Sequence, residues 1–398
     1  MNAISTGLDA QTMAPIGSLP GRAIIPVRKS FARPLEVGDL DDVARLFLQR
    51  FRKVNAGVNS RTRLKVAEHL RQLYLEGPCS GRESDSLVQM NARGELAAFI
   101  GVNRFKFLLD GGPVTVGVTG SLMAATNADS RLTAVHLLQA LHRLPFDVIY
   151  TDSANRHALA IGQAMKYRAV TPESLEWACL HRPASVAVHK IKQRFPWAPV
   201  VLARAFARGV DALAIRAIRR QEDSRLPLDW RDEEVTAADF IAEAPETFED
   251  YRLRPSLSRL DLAWIVRMAS LSESAGRLTL RIIRDAEGKA VASYAFHGDG
   301  ERVARVFHAV ARDGAWGALL ASVIETTSSM GCIGVHGCVR PGFFPHIYRH
   351  RGLILYHAMG TMHRSDRADI VEAINGGASF LGGLAGDRWS PLALDDFR

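Results

Sequence analysis

Cysteine is scarce in this chain. The four present among 398 residues (Cys79, Cys179, Cys332 and Cys338) lack the close paired spacing of zinc ligands or of a disulfide framework. Neither structural zinc nor a stapled secreted scaffold is expected, and buried, inert thiols in a reducing cytoplasm are. Long apolar runs are missing too: no stretch approaches the ~20 residues needed to cross a bilayer. Residues 1–29 carry Gly, Ser, Pro and Ala with no apolar stretch behind a basic one, so they read as a disordered tail and not as a secretory signal. Gly94, Gly101, Gly111 and Gly112 follow no nucleotide-binding fingerprint. Asp152 and Ser153 invite a hydrolase triad, but the Gly-x-Ser-x-Gly elbow is absent. Nor does any nucleic-acid-binding motif occur.

What is there is the composition of a globular protein, with 47% apolar and 23% charged residues. At roughly 100–200 residues per domain, the length implies two or three domains. The net charge of +8 is concentrated in one place. Between His181 and Arg220 stand nine Lys or Arg and a single acid, Asp211. This stretch is helical in pattern and broken at Pro196 and Pro199, so residues 173–225 read as a basic helical linker. A solvated basic face is the plainer expectation, and an anionic membrane surface on residues 181–220 the alternative.

Either side of the linker, elements follow one another in a recurring order. In the first half Val43, Leu46, Phe47 and Phe51 have the spacing of a buried helix face, and a second helix is expected over Leu64–Leu75. Strands Leu87–Asn91, Leu96–Leu108 and Val114–Ala124 follow, separated by Gly-containing turns, then a helix with Val135, Leu138 and Leu141, a strand Asp147–Thr151 and a helix from about Asn155. In the second half an acidic helical stretch (Asp232–Asp250) and a helix around Ile265 precede strands Leu278–Ile283, Ala290–His297 and Val303–Val310. A helix Trp316–Thr327, a strand Ile333–His336 and a helix containing Ile347 and Tyr348 complete the repeat. The expected class is α+β: two tandem domains, at 30–172 and 226–398, each a mixed, mainly antiparallel sheet flanked by helices. A Gly-rich segment, Phe380–Gly383 with Asp387-Arg388-Trp389, is expected to cap the second domain.

These halves resemble the GNAT acetyltransferase superfamily. In the first, Asn155, Ala158, Ile161, Met165, Tyr167 and Val170 fall in register with the family's pattern after its pyrophosphate loop, although Gly162 stands where the family has a Tyr general acid and Lys166 where it has a Gly. The loop register set by Leu137-Leu138 puts Asp129 at the usual Arg or Gln, Leu132 at the usual Gly and Ala134 at the last small position. In the second half, Ile347-Tyr348 and Gly352-Leu353 match the aliphatic-Tyr and Gly-Phe pairs.

The resemblance implies a tandem double-GNAT protein of bacterial, cytoplasmic type that moves an acyl group from acetyl-CoA or a longer acyl-CoA to an amine or hydroxyl by direct attack. It further implies acyl-CoA contacts at Leu122, Met123, Arg131, Leu132, Thr133, Ala134 and Asn155, where helix-start amides meet the phosphates. Tyr348 takes the place of the general acid, and His308, on an expected strand, is the candidate base. The acceptor stays open. So does an alternative: a non-catalytic GNAT-fold protein that binds a ligand or partner.

Overall fold

The computed structural model describes residues 30–51, 60–81, 84–125, 130–195, 197, 199, 201–218, 226–272, 274–350 and 352–393. The first half runs β1 (Phe31–Pro34), α1 (Leu40–Phe51), α2 (Ser60–Tyr74), β2 (Leu87–Met90), β3 (Leu96–Leu109), β4 (Gly112–Ala124), α3 (Ser130–Leu141), β5 (Val148–Ala154), α4 (Arg156–Ala164) and β6 (Arg168–Val170). Val43, Leu46 and Phe47 of α1 are buried as their spacing requires, while Phe51 at its end is partly exposed. The long β3–β4 hairpin closes on Asp110 and Gly111, both at positive φ, the geometry that a tight two-residue turn between twisted strands demands.

The second half runs β7 (Leu175–Cys179), α5 (Pro183–Arg194), α6 (Val201–Ile218), β8 (Arg231–Glu234), α7 (Ala237–Glu243), β9 (Leu253–Pro255), α8 (Arg259–Ser270), β10 (Leu278–Arg284), β11 (Ala290–His297) and β12 (Val303–Ala311). It ends with α9 (Trp316–Ser329), β13 (Gly334–Cys338), α10 (Phe344–Ile347), β14 (Leu353–His357), β15 (Gly360–Arg364) and α11 (Ala368–Asn375).

These strands form two mixed sheets. The first has the order β1-β2-β3-β4-β5-β15-β6, with β9 paired to β3, and the second β14-β7-β13-β12-β11-β10-β8. In each, a single neighbouring pair is parallel, β4 with β5 and β12 with β13. The class is α+β with two like domains, but the domains trade a strand. β7 follows the first half in sequence and lies between β14 and β13 of the second sheet. β15 follows the second half and lies between β5 and β6 of the first. A cut at 172 would take β15 from the first sheet, and a cut at 226 would take β15 from the first and β7 from the second.

Two stretches differ from the sequence reading. Arg231–Glu234 is not helical but an edge strand, although all four side chains are charged. Its Asp232 is held by Arg281 and by the Tyr294 hydroxyl, which donates at 2.7 Å. The expected linker contains the strand β7, and the rest of its described part is a packed helical hairpin. Asp211 of α6 is buried and accepts from the Ala184 N–H at 2.9 Å, the Ser185 N–H at 3.0 Å and the Ser185 hydroxyl at 2.6 Å. The one acid of the basic segment thus caps α5, satisfying amides that a helix start leaves open.

The chain after α11 does not cap the second domain alone, as its composition suggested, but runs between both. Trp389 is fully buried against Trp264, edge to face at 5.3 Å, and the Tyr150 hydroxyl of β5 donates to the Ala385 carbonyl at 2.5 Å.

Candidate functional site

Parallel strands that part company leave a gap with unpaired backbone. β4 and β5 pair only from Val116 with Val148 to Val118 with Tyr150. Just beyond, β4 carries a bulge: Phe99 faces Met123 and Gly101 faces Gly120, so Ser121 and Leu122 together oppose Ile100. Ser121 takes φ +55 to make it. A cavity of about 380 Å³ opens there, walled by Thr119, Ser121 and Leu122 of β4, Thr151 and Ser153 of β5, and Asn155 and Ala158 at the start of α4. Tyr74 from α2 and Asp387 from the C-terminal segment close it.

Asp387 is the least expected of these. It is buried, and its Oδ2 accepts from the Ser153 hydroxyl at 2.5 Å while its N–H donates to Oδ1 of Asp152 at 3.1 Å. Burial, reinforced by the neighbouring Asp152 carboxylate, pushes the Asp387 carboxyl well above the usual carboxylate range. Its Oδ1 has no hydrogen-bond partner among the described residues. Arg388 follows, buried, its Nε donating to the Asp152 carbonyl at 2.7 Å and its Nη1 to Glu176 at 2.7 Å. Gly120 makes this approach possible, because a Cβ there would lie 2.6 Å from Oδ2 of Asp387 and 3.3 Å from the Tyr74 hydroxyl.

The matching gap in the second domain is filled. β12 and β13 pair from Val303 with Gly334 to Val306 with Gly337, and beyond that point the segment Phe380–Gly383 sits against them. A Cβ on Gly383 would meet His308 Nδ1 at 2.7 Å, and one on Gly382 would meet Asp152 at 2.8 Å and Arg340 at 3.0 Å; both glycines have positive φ. Arg340 lies over the Phe380 ring at 4.7 Å.

The sequence candidates divide between these places. Leu122 and Asn155 line the first-domain cavity, and Met123 is buried behind it. Asn155 also caps α4, its side chain accepting from the Ala158 N–H at 2.9 Å. Arg131, Leu132, Thr133 and Ala134 belong to the first turns of α3; Leu132 is exposed and Ala134 buried, and the loop 126–129, with Asp129, lies outside the described residues.

His308 sits in the core of the second domain. It is fully buried, its Nε2 3.1 Å from the Ser293 hydroxyl, and Phe240, Phe248 and Phe380 set their rings edge to face around it. Burial holds its imidazole down at about 3, so near neutrality it is uncharged, and Phe380 and Gly383 pack against it. Tyr348 follows the four-residue α10, 78% exposed, its ring stacked on Phe344 at 6.3 Å, and lines neither the first-domain cavity nor the large one beneath α5. Gly162 has a structural reason: a Cβ there would meet the Met362 sulfur of the exchanged strand β15 at 2.4 Å.

Sequence reasoning missed Asp387, Ser153 and Tyr74 as a set. The available signal was an Asp-Arg-Trp run after a Gly-rich stretch, a charged pair amid residues suited to close packing.

No protein-family profile matches the chain, and no curated protein does. Solved structures do. A conserved protein of unknown function from Enterococcus faecalis V583, described as a probable N-acyltransferase, aligns over 85% of this chain and 73% of its own with a TM-score of 0.53 at 10% identity. A GCN5-related N-acetyltransferase from Anabaena variabilis aligns over 87% and 75% with a TM-score of 0.54, also at 10% identity. The chain has the GNAT fold, and its two sheets carry that fold in tandem.

Proposed function

We propose that the first domain binds an acyl-CoA in the gap between β4 and β5 and transfers the acyl group directly to an amine or hydroxyl. The observation that carries this reading is the contrast between the gaps: the first opens into a cavity and the second is plugged. The thioester carbonyl lies against the backbone N–H groups at Leu122 and Met123, beside the bulge that takes Ser121 and Leu122 out of register, and these stabilise the oxyanion as it forms. In this reading the coenzyme's phosphates bind at the start of α3, the helix turn that holds Arg131 and Thr133.

The acceptor attacks the carbonyl, a bond from nitrogen or oxygen to carbon forms, and the carbon–sulfur bond breaks. Asp387 takes the acceptor's proton. A carboxyl with a raised value is a stronger base than an exposed one, and Ser153 fixes its orientation. The thiolate leaves with a proton from water, since Gly162 offers none.

That missing hydroxyl favours a second reading, a ligand-binding protein without turnover. Release of free thiol from acetyl-CoA and longer acyl-CoAs, offered with a panel of amines and sugars, supports transfer; binding without release supports the second reading. Absence of any thermal stabilisation by acyl-CoAs of every chain length would overturn both the donor and the site.

A further inference from the structure

We propose that the α5–α6 hairpin docks the protein on an anionic membrane, placing its aromatic end in the lipid interface. Sixteen large apolar side chains are exposed among the described residues, and five of them, Ile191, Phe195, Trp197, Phe206 and Val210, fall within this one hairpin. Scattered singly, such residues need no explanation; gathered in one motif, three of them at or next to the turn between its helices, they do. Ile191 and Phe195 lie one turn apart, as do Phe206 and Val210, so each helix offers an apolar face, and the Phe195 and Trp197 rings touch at 6.0 Å. Trp197 is 81% exposed and Phe206 76%.

Charge selects the partner. Lys190, Lys192 and Arg204 are exposed on the same hairpin, and its only acid, Asp211, is buried as the cap of α5. The hairpin itself therefore presents cations around its aromatic and aliphatic side chains, and Glu301 from outside it is paired with Arg208. That is the composition of an interfacial anchor, in which apolar burial and attraction to acidic headgroups act together. A second copy of the chain would set basic face against basic face. No described helix is long and apolar enough to cross a membrane, so the hairpin lies on the surface and does not span. α5 also helps wall a cavity of about 830 Å³ in the second domain, through Val186, His189 and Lys190, so docking would hold that cavity close to the lipid.

The test uses the full chain with vesicles of phosphatidylcholine alone and of equal parts phosphatidylcholine and phosphatidylglycerol, read by co-sedimentation and tryptophan emission. Trp177, Trp264, Trp316 and Trp389 are buried and Trp230 is partly buried against the core, so the exposed Trp197 dominates the emission change. Expected are a blue shift and binding with the anionic vesicles only, weakened by salt, and about a tenfold or greater loss of binding in Trp197→Ser/Phe206→Ser. Trp197→Phe is expected to retain binding and lose most of the emission change. Unaltered circular dichroism and melting temperature certify that the double variant is folded. No binding to anionic vesicles, or binding unchanged in the folded double variant, overturns the proposal. So does a self-association, seen by sedimentation, that the double variant abolishes while vesicles are ignored.

Discussion

The two domains build the same parallel strand pair, β4–β5 and β12–β13, and treat its parting in opposite ways. In the first, a bulge at Ser121 and the small residue Gly120 keep the gap open, and the C-terminal segment contributes Asp387, Ser390 and Leu392 to its wall. In the second, the same segment enters the gap with Phe380–Gly383 and leaves His308 sealed among aromatic rings. One stretch of chain thus walls one gap and fills the other. A duplicated fold therefore need not mean a duplicated activity, since function lives in sites placed on folds.

The comparison breaks most visibly at Asp387. Asp387→Asn is expected to lower turnover by about 10²–10⁴-fold with coenzyme affinity retained. In the wild type kcat/KM should rise as pH climbs through the raised Asp387 value, and the variant should lose that limb. Stability has the opposite sign. A carboxyl whose folded value is raised contributes fully below its unfolded value of about 3.9, and the contribution is lost as pH rises through the folded value. Denaturant unfolding on the alkaline side should therefore find Asp387→Asn more stable than the wild type.

A tyrosine placed at position 162 tests the packing against β15. Gly162→Tyr drives a side chain into Met362 of β15, and a cost of about 1–3 kcal/mol is expected from overpacking, read as a lower denaturation midpoint. Lys166 sits at φ +65 where the family pattern has Gly, so Lys166→Gly is expected to stabilise by about 1 kcal/mol in the same measurement. At the bottom of the scale, Tyr348→Phe should leave turnover unchanged because the side chain is exposed and remote from the open cavity. A large loss of turnover there would move the chemistry to the second domain.

Much of this architecture was legible. Alternating strands bounded by Gly turns placed β2, β3, β4, β10, β11 and β12 within a few residues, because a half-buried strand with a tight turn writes itself into local sequence. β8 was not legible, since Arg-Asp-Glu-Glu has no apolar alternation and is held by partners on β10 and β11. Nor was the exchange of β7 and β15: periodicity says that a segment is a strand and not which sheet it joins. In the site, Leu122 and Asn155 were reachable from local register. Asp387 was not, because it lies more than two hundred residues from Ser153 in sequence and only the closed fold joins them.

The central claim is that one gap holds the donor and the other cannot. Titration calorimetry with acetyl-CoA, or with a longer acyl-CoA if that binds more tightly, tests it on the wild type and on Ala158→Trp, which fills the first-domain cavity from the start of α4. The account predicts a single equivalent bound per chain and none bound to the folded variant. Two equivalents, or binding that survives Ala158→Trp, would contradict it.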